Sequence, residues 1–91
     1  SALNRTVPKF QYAPKSTLPE LAASYSYGIA RNHPFFDGNK RSALLAAIVF
    51  LGINGMKLHA TEEEAVLETL ALAASERTEE EYAFWLTKNS T

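Results

Sequence analysis

The feature that most limits how this chain can fold is the apolar run Ala43 to Leu51, which carries no polar side chain on any side. A helix of that kind has no face to give to water, so it is expected to be buried all round, as the central helix. A buried strand is the rival reading. The length of the segment, from Gly38 or Asn39 to about Ile53, and its alanines favour helix. Asn54-Gly55 should stop it, because glycine readily takes the left-handed conformation that closes a helix. The run is far short of the roughly 20 apolar residues that a membrane-spanning helix needs.

Three further helices are marked by their starts. Thr17 with Glu20, Thr61 with Glu64 and Thr78 with Glu81 all have capping-box spacing. After Thr17, Pro19 falls in the first turn, and Leu21, Tyr25 and Ile29 recur at i, i+4 and i+8 beside Ala22. Pro34 pushes His33 out of the helical region, so this helix should end near Asn32. The helix after Thr61 has Val66, Leu67, Leu70 and Ala73 or Ala74 as its apolar positions. The last has Tyr82, Trp85 and Leu86. Glu62 to Glu64 and Glu79 to Glu81 crowd first turns, where they complement the helix dipole. Ahead of Thr17 the chain is irregular. Lys9-Phe10-Gln11-Tyr12 alternates as a short extended segment, and Ser1 to Asn4 reads as the tail of a helix. The expected fold is a small all-α bundle, residues 1–91 forming one domain.

The rest of the composition excludes more than it proposes. Nine basic and ten acidic residues leave a net charge of −1, no field for nucleic acid or anionic lipid. With no cysteine there is no disulfide framework, thiol nucleophile or thiolate metal site. Two histidines make a structural zinc site a poor reading, and His59 reads as a plain surface residue. No amino-terminal signal pattern is present, so the expected setting is cytoplasmic, with no membrane partner.

One segment departs from this generic picture: His33-Pro34-Phe35-Phe36-Asp37-Gly38-Asn39-Lys40-Arg41. It sets polar and charged residues at the mouth of the most apolar helix. Burying such groups costs several kcal/mol unless they are paired or bind something. Gly38-Asn39-Lys40 opens that helix, so free backbone N–H groups and the positive dipole end make an anion site there. Lys40 and Arg41 add two cations that oppose the dipole unless an anion lies between them. Asp37 beside a polyphosphate calls for a divalent cation such as Mg²⁺, although alone it would serve as a helix cap. His33, taken alone, is a loop histidine; beside these groups it is placed to accept a proton from an incoming hydroxyl. An anion cradle, a metal carboxylate and a base together point to phosphoryl or nucleotidyl transfer.

These residues resemble the Fic/Doc signature H-x-F-x-[D/E]-[G/A]-N-[G/K]-R. The likeness extends through Leu18-Pro19-Glu20-Leu21-Ala22-Ala23, Arg31-Asn32-His33-Pro34-Phe35, Phe50-Leu51-x-x-Asn54-Gly55 and Trp85-Leu86. The resemblance implies an all-α Fic/Doc-type bundle whose amino-terminal helix has no counterpart here. It implies His33 as general base, Asp37 as the Mg²⁺ ligand, and Gly38, Asn39 and Lys40 as an anion hole. Arg41 would contact phosphate, and Phe35 would anchor the loop. Lys9, Phe10, Gln11 and Tyr12 fall in the family's flap, which docks a target peptide by strand addition.

Many Fic enzymes have glycine where Lys40 stands and a second arginine where this chain has Leu44, so the resemblance is closest to the death-on-curing (Doc) branch. That branch implies a toxin that transfers the γ-phosphate of ATP to a Ser or Thr hydroxyl of a translation protein, elongation factor Tu among the implied targets. AMP transfer to a protein hydroxyl is the alternative. A catalytically silent binding fragment is a third reading. The inhibitory motif [S/T]-x-x-x-E-[G/N] is not found, since Ser16 and Glu20 are followed by Leu21. An antitoxin acting in trans is therefore the expected inhibitor.

Overall fold

The structure is a computed structural model that describes residues 16–32 and 37–91, with the backbone alone described at 37–39. The expected tail at Ser1 to Asn4 and the flap at Lys9 to Tyr12 lie outside the described residues. Among the described residues the chain forms four helices and no sheet: α1 (Leu18–Asn32), α2 (Asp37–Ile53), α3 (Glu62–Ala73) and α4 (Glu79–Asn89). The all-α fold is as the sequence leads one to expect.

All three capping threonines act at helix starts, in two different ways. Thr17 N–H donates to Glu20 Oε1 at 2.7 Å, and Glu20 N–H donates to Thr17 Oγ1 at 3.2 Å. Thr78 and Glu81 exchange the same pair at 2.8 and 3.0 Å. At α3 only half of the box forms. Thr61 Oγ1 accepts from Glu64 N–H at 3.1 Å, while the Glu64 carboxylate accepts from Trp85 Nε1 at 3.0 Å. Glu64 thus ties α3 to α4 rather than closing its own cap.

The centre of the bundle is α1, not α2. Helix α1 packs against α2, α3 and α4, whereas α2 packs against α1 and α3 alone among the described helices. Ala22, Ala23, Ser24, Ser26 and Ala30 of α1 are all buried, while Tyr25 and Ile29 of the expected stripe are half-buried. Small side chains let neighbouring helices approach from several directions, so α1 is enclosed although its composition is less apolar than that of α2. On α2, Ala43, Ala47 and Leu51 are buried, but Leu45, Val49 and Ile53 are 57%, 56% and 78% exposed. Apolarity made α2 a candidate for the centre; burial needs neighbours on every side, and among the described helices α2 has two.

Helix α3 is rotated by one position from its expected face. Ala73 is buried as expected, but beside it lie Ala65, Thr69 and Leu72, while Val66, Leu67 and Leu70 are exposed. Thr69 is accepted in the core because its Oγ1 bonds the Ala65 carbonyl and the Tyr82 hydroxyl, each at 2.8 Å. A buried hydroxyl with both partners carries no desolvation penalty, and apolarity alone misplaces it outside. Helix α4 does present its expected face: Tyr82 and Leu86 are fully buried, and Trp85 packs tilted on Tyr82 with ring centroids 5.8 Å apart.

The main core joins Ala22, Ala23, Ala47, Leu51, Leu72, Tyr82, Ala83 and Leu86. A second cluster, Ala30, Ala43 and Ala73 with Ile29 against it, draws together the end of α1, the start of α2 and the end of α3. The chain after α2 is strapped to the chain after α4. Lys57 and Thr91 exchange backbone bonds at 2.9 and 3.0 Å, and His59 N–H donates to the Asn89 carbonyl at 2.7 Å. His59 is exposed, as expected, with Nε2 2.6 Å from Thr91 Oγ1.

Candidate functional site

The start of α2 decides what the segment from His33 to Arg41 can do. The helix begins at Asp37, one residue before the expected start, so Asp37, Gly38, Asn39 and Lys40 form its first turn. The backbone N–H groups of a first turn have no partner within their own helix, and they gather the positive end of its dipole. A glycine in that turn lets an anion approach the backbone closely. The expected anion-hole residues Gly38, Asn39 and Lys40 and the expected metal ligand Asp37 are thus consecutive on one helical turn. His33 and Phe35 lie outside the described residues, as do the flap residues Lys9, Phe10, Gln11 and Tyr12.

The two cations part company. Arg41 is exposed, while Lys40 is half-buried in the crease between α2 and α3. Two clefts meet at Lys40. One, of about 360 Å³, is lined by Leu67, Leu70, Ala73, Ala74 and Glu76 around it. The other, of about 220 Å³, adds Arg41, Leu44, Leu45, Glu62, Val66 and Thr69. Ala73 and Ala74 close α3, whose carboxyl end carries the negative pole of its dipole. Lys40 therefore opposes the dipole of its own helix but complements that of α3, with Glu76 beside it. A bound anion is not needed to explain this cation, whereas Arg41 is open to solvent.

Two polar links hold this corner, and neither is signalled by the sequence. Ser26 Oγ of α1 donates to the Ala43 carbonyl, in the second turn of α2, in a fully buried position. Arg31 Nη1, in the last turn of α1, donates to Ser75 Oγ just beyond α3. The guanidinium also lies over the Tyr27 ring, 5.9 Å from its centroid. Arg31 belongs to the stretch that carries the resemblance, but a partner 44 residues away leaves no local pattern to find.

Titration adds little at this corner. Burial pushes the Tyr82 hydroxyl above its ordinary value, against the opposing pull of its bonds to Thr69 and Ser26. The Glu68 carboxylate, bonded to Arg77 at 2.8 and 3.0 Å, holds that guanidinium more firmly protonated still. Both groups lie in the packing of α3 on α4. No cluster of three or more metal-ligating side chains occurs among the described residues. A divalent cation here would be held by one carboxylate together with phosphate oxygens.

Residues 2–51 match the model of the Fic/DOC family, just over half of the chain. The protein kinase doc of Escherichia phage P1 is 36% identical over 74 residues, covering 81% of this chain and 58% of that protein. The toxin Doc of Mycolicibacterium smegmatis is 54% identical over 41 residues, covering 45% of this chain and 32% of that protein. The chain thus spans a little over half of the first relative and about a third of the second.

Proposed function

Because this chain belongs to the Fic/DOC family, we propose that it is the catalytic part of a Doc-like toxin, transferring the γ-phosphate of ATP to a Ser or Thr hydroxyl of a protein. The observation that carries this reading is the first turn of α2, where Asp37, Gly38, Asn39 and Lys40 follow one another, with exposed Arg41 next. A relative that matches across most of the chain bears the name protein kinase. The target is a protein of the translation machinery, the setting is cytoplasmic, and an antitoxin binding in trans restrains the activity.

In this reading the residues divide the work. His33 takes the proton from the acceptor hydroxyl as its oxygen bonds to the γ-phosphorus. The bond from that phosphorus to the β–γ bridging oxygen breaks, and ADP leaves. The first-turn amides of α2 and the Arg41 guanidinium receive the phosphate charge that spreads in the transition state. Asp37 would hold Mg²⁺, which would supply charge neutralisation on the phosphates. The residues present suit such an ion as a single carboxylate shared with substrate oxygens, not as an all-protein cage.

The test is label transfer from ATP labelled at either the α or the γ position, with elongation factor Tu as the first target offered. Label from the γ position supports the kinase. Label from the α position replaces it by AMP transfer, and no transfer from either leaves the silent binding fragment. Loss of Mg²⁺-ATP binding by calorimetry in Arg41→Ala ties the nucleotide to this turn; unchanged binding removes Arg41 from the phosphate site.

A further inference from the structure

The turn that ends α3 has a backbone out of keeping with its residue. Ser75 sits at φ +63°, the left-handed region that favours glycine. Around it, Ser75 N–H donates to the Leu72 carbonyl and Glu76 N–H to the Ala71 carbonyl, the two bonds of a Schellman turn. The hydroxyl that glycine would lack receives Arg31 Nη1 from the last turn of α1. A strained residue persists where its surroundings over-determine it, and the Arg31 bond is one such surrounding.

The place of this bond gives it consequence. Ala30, next to Arg31, packs with Ala43 of α2 and Ala73 of α3. Three alanines allow close approach, but they supply little interlocking shape to fix an angle. Lys40 lies in the crease beside Ala73, Ala74 and Glu76, next to Ser75 in the chain. The end of α1, the beginning of α2 and the end of α3 therefore converge on small side chains, and a directional polar bond spans two of them.

We infer that Arg31 is a positioning residue that acts through Ser75, holding the last turn of α1 against the turn after α3 and so setting the placement of the first turns of α2. The inference rests on the phosphotransfer reading of that helix start. Arg31 does not touch the nucleotide in this account. It acts on kcat through geometry, because small misplacements of a catalytic helix are felt in the chemical step.

Ser75→Gly is the informative variant, since it suits the left-handed backbone and removes the hydroxyl together with its Cβ. Amide hydrogen exchange at Ile29–Asn32 and Arg41–Leu44, followed by NMR, reports the clamp without relying on activity. Arg31→Ala and Ser75→Gly should each quicken exchange there about tenfold, the effect of losing one charge-assisted bond, while α4 is unaffected. In transfer assays each should lower kcat about tenfold and leave KM for ATP within about twofold. The double variant should be no worse than either single. Unchanged exchange in both singles overturns the inference whether or not the chain transfers phosphate. So does an additive double variant, or a raised KM with kcat intact, which makes Arg31 a nucleotide contact. Faster exchange in a chain whose wild type transfers no label counts for the clamp and against the phosphotransfer reading, so the two failures are told apart.

Discussion

Two helix ends in this molecule close with the same hydrogen-bond pattern and different residues. After α2, Gly55 at φ +83° allows Met56 N–H to reach the Leu51 carbonyl at 2.8 Å and Gly55 N–H to reach that of Gly52 at 3.1 Å. After α3, Glu76 N–H reaches Ala71 at 2.8 Å and Ser75 N–H reaches Leu72 at 3.2 Å. The first turn has the residue that suits its backbone, and a Cβ built on Gly55 would meet nothing within 4 Å. The second carries a side chain in a conformation that disfavours one, and that side chain is bonded to Arg31. The comparison separates two kinds of turn. One simply ends a helix; the other also holds a distant residue, and the hydroxyl is what the strain retains.

The most damaging way to break the first turn is from below. Leu51, whose carbonyl accepts the longer-range bond, is fully buried in the main core. Leu51→Ala should lower stability by about 2–5 kcal/mol, measured by urea unfolding. A cost under about 1 kcal/mol would mean that the core collapses around the loss. Gly55→Ala keeps every contact and adds only left-handed strain, so it should cost about 1–2 kcal/mol in the same assay. No loss would show that the Gly55 backbone relaxes and that the contrast with Ser75 is not one of strain.

Tyr82 shares the main core with Leu51 and Leu72, whose carbonyls close the two turns. Tyr82→Phe should cost about 1 kcal/mol, since Thr69 and Ser26 keep their bonds to the Ala65 and Ala43 carbonyls. The same group gives the fold an alkaline limit. Its folded pKa is raised, so above its ordinary value of about 10 the unfolded chain releases the proton first. Stability is then complete below that pH and falls as pH rises above it. The phenylalanine variant should have a shallower alkaline fall, read from melting temperatures between pH 8 and 11.

Gly52 sharpens the comparison from the other side. It lies within α2, without positive φ and with nothing within 4 Å of a built Cβ. Gly52→Ala should therefore stabilise the helix by about 0.5–1 kcal/mol, opposite in sign to Gly55→Ala three residues later. Ser75→Gly should shift stability least, within about 0.5 kcal/mol, because relief of strain and loss of an exposed bond nearly cancel. A large loss of stability there would mean that the hydroxyl holds up the fold rather than the site.

Much of the fold was legible because its signals are local. Three capping threonines, Asn54-Gly55 and the break before Pro34 act within a turn of themselves, and each helix starts or stops where they stand. Of the candidate site, the helix start alone was legible for the same reason: Asp37 to Arg41 are consecutive and open α2, while His33 and Phe35 lie outside the described residues. The face of α3 was not legible, because Thr69 is buried by a partner on another helix, Tyr82. Nor was the surrounding of Lys40, which depends on how α3 crosses α2.

By itself, then, the sequence determined an all-α chain, the starts of the helices found among the described residues, the stops of the first two, and a helix start rich in groups that suit phosphate. Tertiary structure alone decided which helix is enclosed. Alanine, serine and glycine make α1 central by letting three neighbours approach, while the more apolar α2 keeps an open face. It also decided that Arg31 meets Ser75. Hydrophobicity tells which side chains seek cover, but only the packing of the whole chain tells which of them find it.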